Sequence, residues 1–491
     1  MPADAPRFAV WVAGSTGSAL VAPSPLAPIQ SGQSWYERPD RPFVLNPDGE
    51  FDVALNAFWT DSATSVRAKG ATLKLYASAI ARFCDFLWYA RSSGGERRTW
   101  RDATSRDRSA FFHWRNVDVD GPRVAANTWN TEVAALDMFY RFEVEVGNVP
   151  RSPMRSVERY RPRGDRSGLA VRGPAEKRLR KEVLPPWLSP GEYSSWCRVG
   201  VRGFLPSGGR DESFRGSQSG RNVSFMDLMF GSGLRLQEQA TLLVSEIPAL
   251  EGAAAYTRLW VSAATAKYES ERYVLVARNV LRSIHTYLLV DRSESIDRAR
   301  RSGAYGLISQ KIIVPEGATS FRNGDGTKVA LVDATPAERL RLYEDSADGL
   351  TPLTLWLTEA GTPMRLNTWQ KIFSDANKRV QRLGGGPAAH AHKLRHSWAT
   401  ITVAQLERRY RALRKQPDSE RGLVGDPLDW VSRRLGHRHV ETTLIYVHSV
   451  RELEAETVLQ LIPDDVAEIA APTSDDIISD RFDIAQGTDQ A

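Results

Sequence analysis

Leu435-Gly436-His437-Arg438-His439-Val440-Glu441-Thr442-Thr443-Leu444-Ile445-Tyr446-Val447-His448 sets an imidazole and a phenol nine positions apart, with two threonines between them. Two upstream stretches carry groups that suit the same chemistry. Gly231-Ser232-Gly233-Leu234-Arg235-Leu236-Gln237-Glu238 holds Arg235, and His392-Lys393-Leu394-Arg395-His396-Ser397 holds His392 and Arg395. A phosphodiester under attack needs a nucleophile, cations on its non-bridging oxygens, and a proton for the leaving oxygen. Tyr446 suits the first task. Arg235 and Arg395 suit the second, because a guanidinium keeps its charge and offers planar paired donors to phosphate. Charge grows on those oxygens in a pentavalent transition state, so donors fixed there help it more than the ground state. Arg395 lies three residues after His392, which puts both on one helical face.

The phenol has a pKa of about 10, so it is a poor nucleophile until its proton is drawn off. His392 reads as the general base or as a hydrogen-bond partner of the phosphate. His437 reads as a second donor, steadying a phosphoryl oxygen or orienting Tyr446. A covalent phosphotyrosine would store the energy of the phosphodiester bond, and neither ATP nor a metal would be required. Two metal readings are weaker. His390-Ala391-His392 looks like a metal pair on a strand, whereas Lys393 onward reads as helix. His437, His439 and His448 lack a cysteine or carboxylate in register to complete a zinc site. No cofactor is expected.

These three motifs, in this order, resemble those of the tyrosine recombinases, the group of phage integrases and chromosome-dimer resolvases. The resemblance runs from about residue 61 to residue 463. It implies a helical, SAM-like core-binding domain and a mainly helical catalytic domain with a small antiparallel sheet, together forming a C-shaped clamp on DNA. It implies cleavage through a 3′-phosphotyrosine, strand exchange through a Holliday junction, and a homo-tetramer on two duplexes. Accessory or co-encoded recombinase subunits are possible further partners. It also implies a lysine on a β-hairpin that protonates the leaving 5′-oxygen. The matching segment is Thr265-Ala266-Lys267-Tyr268-Glu269-Ser270-Glu271-Arg272. Lys267 takes that role, although the glycines that usually flank it are missing, and Arg272 is at most a DNA-backbone contact. Glu238 reads as a pairing partner for a basic neighbour. The expected function is integration or excision of a mobile element. Two alternatives stay open: a type IB topoisomerase-like enzyme that relaxes DNA, and a catalytically inert DNA-binding regulator.

Composition agrees with a partner that is a polyanion. Residues 464–491 hold eight acidic residues against Arg481, a net −7, so the +6 of the whole chain leaves +13 on the rest. Residues 151–181 alone carry eleven Lys and Arg against three Asp and Glu. Neutralising phosphates with such a body releases condensed counterions. Only Cys84 and Cys197 are present, which argues against a disulfide framework and fits a reducing, nucleoid-associated cytoplasmic setting. No run of 18 apolar residues exists to span a membrane.

At 491 residues the chain exceeds a single core. Residues 1–60, rich in Pro, Gly and Ser, read as an extended arm. Residues 61–150 read as a helical DNA-binding domain, with one stripe at Leu73, Tyr76, Ile80, Phe83 and Leu87 and another at Trp129, Val133, Leu136 and Tyr140. Residues 151–184 read as a basic linker and 185–463 as the catalytic domain. That domain opens on the capped start Ser189-Pro190-Gly191-Glu192 and is interrupted by insertions at about 296–350 and 407–427. Met226 to Leu243 reads as one apolar-periodic stretch carrying Arg235. Residues 256–276 read as two strands around a polar turn. Residues 449–463 read as a helix, which the resemblance implies docks on a neighbouring protomer, with packing on its own domain as the alternative, and 464–491 read as an acidic tail.

Overall fold

An amphipathic helix is stable once its apolar stripe is covered, and the two stripes of residues 61–150 cover each other. The computed structural model describes residues 5–12, 41–60, 70–92, 96–159, 171–174, 185–324, 326–414, 426–437 and 443–446. The chain divides into two compact units, Met1–Glu182 and Val183–Ala491.

In the first unit, strands β1 (Ala9–Val12) and β2 (Pro42–Leu45) pair antiparallel. Helices α1 (Val53–Ala57), α2 (Gly70–Ala90), α3 (Ser105–Asn116) and α4 (Ala126–Glu145) follow. Leu73, Ile80, Phe83 and Leu87 of α2 bury against Phe111 of α3 and Trp129, Val133, Leu136 and Tyr140 of α4. Thr104 caps α3 through a capping box with Asp107. The described parts of residues 1–60 do not form an extended arm. Val44, Leu55, Phe58 and Trp59 lie in the same core, and Phe8 and Val10 pack against it. Burying such side chains stabilises by about 1.5–3 kcal/mol apiece, which outweighs the turn-rich composition around them. The basic stretch 151–184 is not wholly a linker either. Strands β3 (Ser156–Arg159) and β4 (Val171–Pro174) pair antiparallel there, since a backbone ladder is indifferent to side-chain charge.

The second unit is also mainly helical. Helix α5 (Pro190–Trp196) begins at the expected cap: Ser189 Oγ accepts from the Glu192 amide and the Glu192 carboxylate accepts from the Ser189 amide at 2.8 Å. Helix α6 (Ser219–Ser232) supplies Phe225, whose ring stacks at 3.5 Å on Trp369. Met226 to Leu243 is not one helix. It breaks at Gly233 (φ +67), and α7 (Leu236–Ala240) restarts after Arg235. A Cβ at Gly233 would sit 2.4 Å from the Trp398 ring, so both the left-handed backbone and the space demand glycine there.

Strands β5 (Tyr256–Val261) and β6 (Arg272–Ala277) form the expected hairpin, with Trp260 opposite Tyr273. Helices α8 (Arg278–Tyr287) and α9 (Ser293–Arg301) come next. The stretch expected as an insertion at 296–350 holds β7 (Ile312–Pro315), β8 (Ser320–Arg322), β9 (Lys328–Ala330), α10 (Pro336–Arg339), β10 (Leu342–Ser346) and the start of β11 (Gly349–Pro352). One of its contacts is parallel, β10 beside β7, so the sheets here are not purely antiparallel. Buried Arg339 of α10 ties the stretch down through paired bonds of 2.7 and 2.8 Å to Glu246 and one to the Thr241 carbonyl. Helices α11 (Leu366–Arg382), α12 (Ala391–Arg414) and α13 (Pro427–Leu435) complete the unit, with a last helical turn at 443–446. Most of the 407–427 insertion, all of 449–463 and the acidic tail lie outside the described residues. Among the described residues no helix is long and apolar enough to cross a membrane.

Candidate functional site

Arg235 stands at a helix start rather than inside a helix, because Gly233 ends α6 two residues earlier. Its amide and its guanidinium both donate to Glu238, at 2.9 Å each, and a second guanidinium nitrogen donates to the Gly436 carbonyl at 3.2 Å. Glu238 is 2% exposed and also accepts two bonds from Arg272, at 2.7 and 3.1 Å. Burial raises its carboxyl pKa, but Arg272 and then Arg235 outweigh that and hold it below the usual range. Arg272 is therefore no DNA contact. It is buried, pairs with Glu238 and donates to the Arg434 carbonyl at 2.6 Å. Its alternation with the outward Tyr273 turns it inward.

Arg395 projects from α12 and is 4% exposed. It donates to the carbonyls of Gly233 and Leu435, so one side chain joins the break after α6 to the end of α13. Burial pushes its pKa down to about 9, with Arg235 adding to the shift, yet it stays a cation at neutral pH. Gly436 ends α13 in the left-handed region (φ +61), and a Cβ there would meet Ser270 Oγ at 2.7 Å. That turn brings His437 back toward the site. His437 Nδ1 lies 2.9 Å from Thr443 Oγ1. Burial and the nearby Arg395, Arg235 and Arg272 lower its pKa to about 4, so it is neutral at pH 7.

Tyr446 sits in the last described turn and is 2% exposed, packed with Trp398, Val403, Val431 and Leu435 of α12 and α13. Burial raises its phenol pKa, with Arg395 and Arg235 opposing. The His437 ring stacks on it at 6.3 Å between centroids. Its hydroxyl is 2.8 Å from Nδ1 of His396. Sequence reasoning quoted His396 within the His392 motif and gave it no role. The available signal was its position one helical turn after His392. The two rings are 6.1 Å apart.

His392 is exposed and has no hydrogen bond to Tyr446. Desolvation, then Arg395, His390, Arg235 and Lys267, lower its pKa, which places it among the site's cations. Lys267 is also exposed, in the turn between β5 and β6, with its ammonium 4.9 Å from the Tyr268 ring centre. Tyr268 (φ 62) and Glu269 (φ 55) take the left-handed backbone that the missing glycines would have adopted more readily. The structure thus brings Arg235, His392, Arg395, His437 and Tyr446 together, with Lys267 at their edge. His439 and His448 lie outside the described residues. Among the described residues no three His, Cys, Asp or Glu side chains converge as a metal would need.

The phage integrase family model matches residues 211–405. Over that stretch the chain is similar to the phage integrase family, the tyrosine recombinases. The matched stretch contains Arg235, Lys267, His392 and Arg395 and stops before His437 and Tyr446. A comparison with curated protein sequences found no match. Among solved structures, the XerH site-specific recombinase in a post-cleavage complex with palindromic difH substrate is 12% identical, covers 81% of this chain and 83% of that one, and has a TM-score of 0.44. A lambda integrase dimer bound to a core site is 13% identical, with 78% and 90% covered and a TM-score of 0.42. The Tn1549 transposon integrase in complex with circular intermediate DNA is 12% identical, with 82% and 98% covered and a TM-score of 0.40. Likeness at that level adds nothing to what the family match and the side chains carry.

Proposed function

We propose that this protein is a tyrosine recombinase that cuts and rejoins duplex DNA at specific sites through a 3′-phosphotyrosine on Tyr446, without metal or ATP. One observation carries the reading. Two arginines held by backbone carbonyls and Glu238 lie close enough to a buried tyrosine to oppose the rise of its phenol pKa, and its hydroxyl already has a histidine partner. Such an arrangement suits attack on a phosphate, because donors fixed in advance need no reorganisation as charge develops. Arg235 and Arg395 hold the non-bridging oxygens, His392 and His437 donate to the same phosphoryl group, and Lys267 protonates the departing 5′-oxygen. A 5′-hydroxyl from a partner duplex then attacks the phosphotyrosine, and exchange proceeds through a Holliday junction in a tetramer on two duplexes. The net positive body, apart from residues 464–491, supplies sequence-independent attraction for the backbone.

The test is a nicked suicide duplex, in which cleavage traps the protein covalently. Wild type should form a 3′-linked adduct, and Tyr446→Phe should bind the duplex but form none. Adducts that persist in Tyr446→Phe, or that map to another tyrosine, overturn the reading. Relaxation of supercoils with no recombinant product would assign the site to topoisomerase chemistry instead.

A further inference from the structure

Two histidines pack against Tyr446 and a third lies one helical turn from one of them, and the structure separates their positions. His437 has its Nδ1 against Thr443. His392 lies exposed among Arg235, Arg395 and Lys267, where a phosphate-facing donor belongs. Among the described residues only His396 hydrogen-bonds the hydroxyl of Tyr446, at 2.8 Å. We propose that His396, rather than His392, is the catalytic base that takes the phenol proton of Tyr446 and returns it on rejoining. This rests on the reading of Tyr446 as the nucleophile.

The geometry supports the assignment on three counts. His396 lies on α12 directly after Arg395, so the helix that fixes an oxygen-binding cation also fixes the base. The neighbouring Ser397 is fully buried and bonded to the Leu188 amide at 2.8 Å, so this turn of α12 is tied to the rest of the unit. The surroundings also favour an unprotonated imidazole. Facing it are His392 and Arg395 of its own helix, His390 just before that helix, Tyr446 from the last turn, and His437 beyond α13. Burial, then His392 and Arg395, lower its pKa to about 4. A neutral ring with Nδ1 free accepts a proton, and an imidazolium does not.

The step balances. Tyr446 Oη bonds to phosphorus as its proton passes to His396 Nδ1, while the bond from phosphorus to the 5′-oxygen breaks and Lys267 protonates that oxygen. On rejoining, a 5′-hydroxyl attacks and its proton returns to Lys267. The bond from Oη to phosphorus then breaks, and the His396 imidazolium reprotonates the phenolate.

His396→Asn tests the base directly, because the carboxamide can occupy the Nδ1 position and hold the hydroxyl but cannot take its proton. Single-turnover cleavage of the suicide duplex should fall about 10²–10⁴-fold, with duplex binding unchanged. Replacing Tyr446 by 3,5-difluorotyrosine, a more acidic phenol, should restore most of that loss, because less base assistance is then needed. Cleavage by His396→Asn within about threefold of wild type overturns the proposal, as does a loss that the acidic phenol fails to restore. If His396→Asn loses duplex binding, His396→Gln is judged by the same criteria. The unmodified protein gives a check that needs no variant: nitrogen-15 spectra must show the Nε2–H tautomer at His396, and a protonated Nδ1 overturns the assignment. Adducts in Tyr446→Phe would sink the functional reading itself. A dead Tyr446→Phe beside a fully active His396→Asn would sink only this inference.

Discussion

The two sides of the site are built on opposite plans. On one side Arg395, His396 and Tyr446 sit between α12, α13 and the last helical turn, where the arginine is 4% exposed and the tyrosine 2%. On the other side Lys267 stands exposed on a hairpin turn, beside two residues in left-handed backbone and with the Tyr268 ring against its ammonium. Charge stabilisation rewards groups that are already in place, because any reorganisation adds to the barrier. The proton donor proposed at Lys267 would have a different task. It would act only as the 5′-oxygen departs, and a surface turn would let it approach and withdraw. Glu238 links the sides. It holds Arg235 directly, and through Arg272 it anchors the turn end of the hairpin.

The largest expected effect that would break this contrast is at Lys267. Lys267→Ala should slow cleavage of ordinary DNA about 10²–10⁴-fold. A 5′-bridging phosphorothiolate leaves as a thiolate, since a thiol has a pKa of only about 8.5, and should return the variant to near the wild-type rate. Suicide-substrate kinetics with both DNAs measure this. If sulfur fails to rescue Lys267→Ala, the hairpin does not carry the acid and the division of labour falls.

Next in size is the link. Glu238→Ala leaves the Arg272 guanidinium buried without its carboxylate and frees Arg235, at a stability cost of about 3–5 kcal/mol. Urea unfolding should show that loss, and cleavage should fall with it. A change under about 1 kcal/mol would mean that the Arg434 carbonyl and water suffice for Arg272.

The smallest effect sharpens the picture of the turn. Tyr268→Gly relieves a left-handed non-glycine residue that costs about 1–2 kcal/mol. It should raise stability by about 1 kcal/mol, net of the glycine's own entropy. Destabilisation in urea would show instead that the Tyr268 ring, through its contact with Lys267, holds the turn together.

Much was legible in the chain alone. The helical stripes of residues 61–150, the cap at Ser189, the hairpin at 256–277 and the types of the site residues all follow from spacing and chemistry within about a dozen positions. Misreadings occurred where a distant partner decided the outcome. The ends of residues 1–60 looked like an arm because the core that accepts Val44 and Phe58 is built mostly by helices after residue 70. Arg235 looked helical because the Trp398 ring that crowds Gly233 lies 165 positions downstream. Arg272 read as at most a DNA-backbone contact because its carboxylate partner is 34 residues away.

The sequence by itself determined which chemical groups this protein carries and which family it resembles, since side-chain type and short spacing survive without any fold. Only the tertiary structure decided which histidine meets the tyrosine. His392 and His396 are indistinguishable as letters one helical turn apart. The last turn returns from 50 residues downstream to place its hydroxyl against one ring and not the other. Local periodicity sets the face of a helix, but what packs on that face is settled by chain segments far away in sequence.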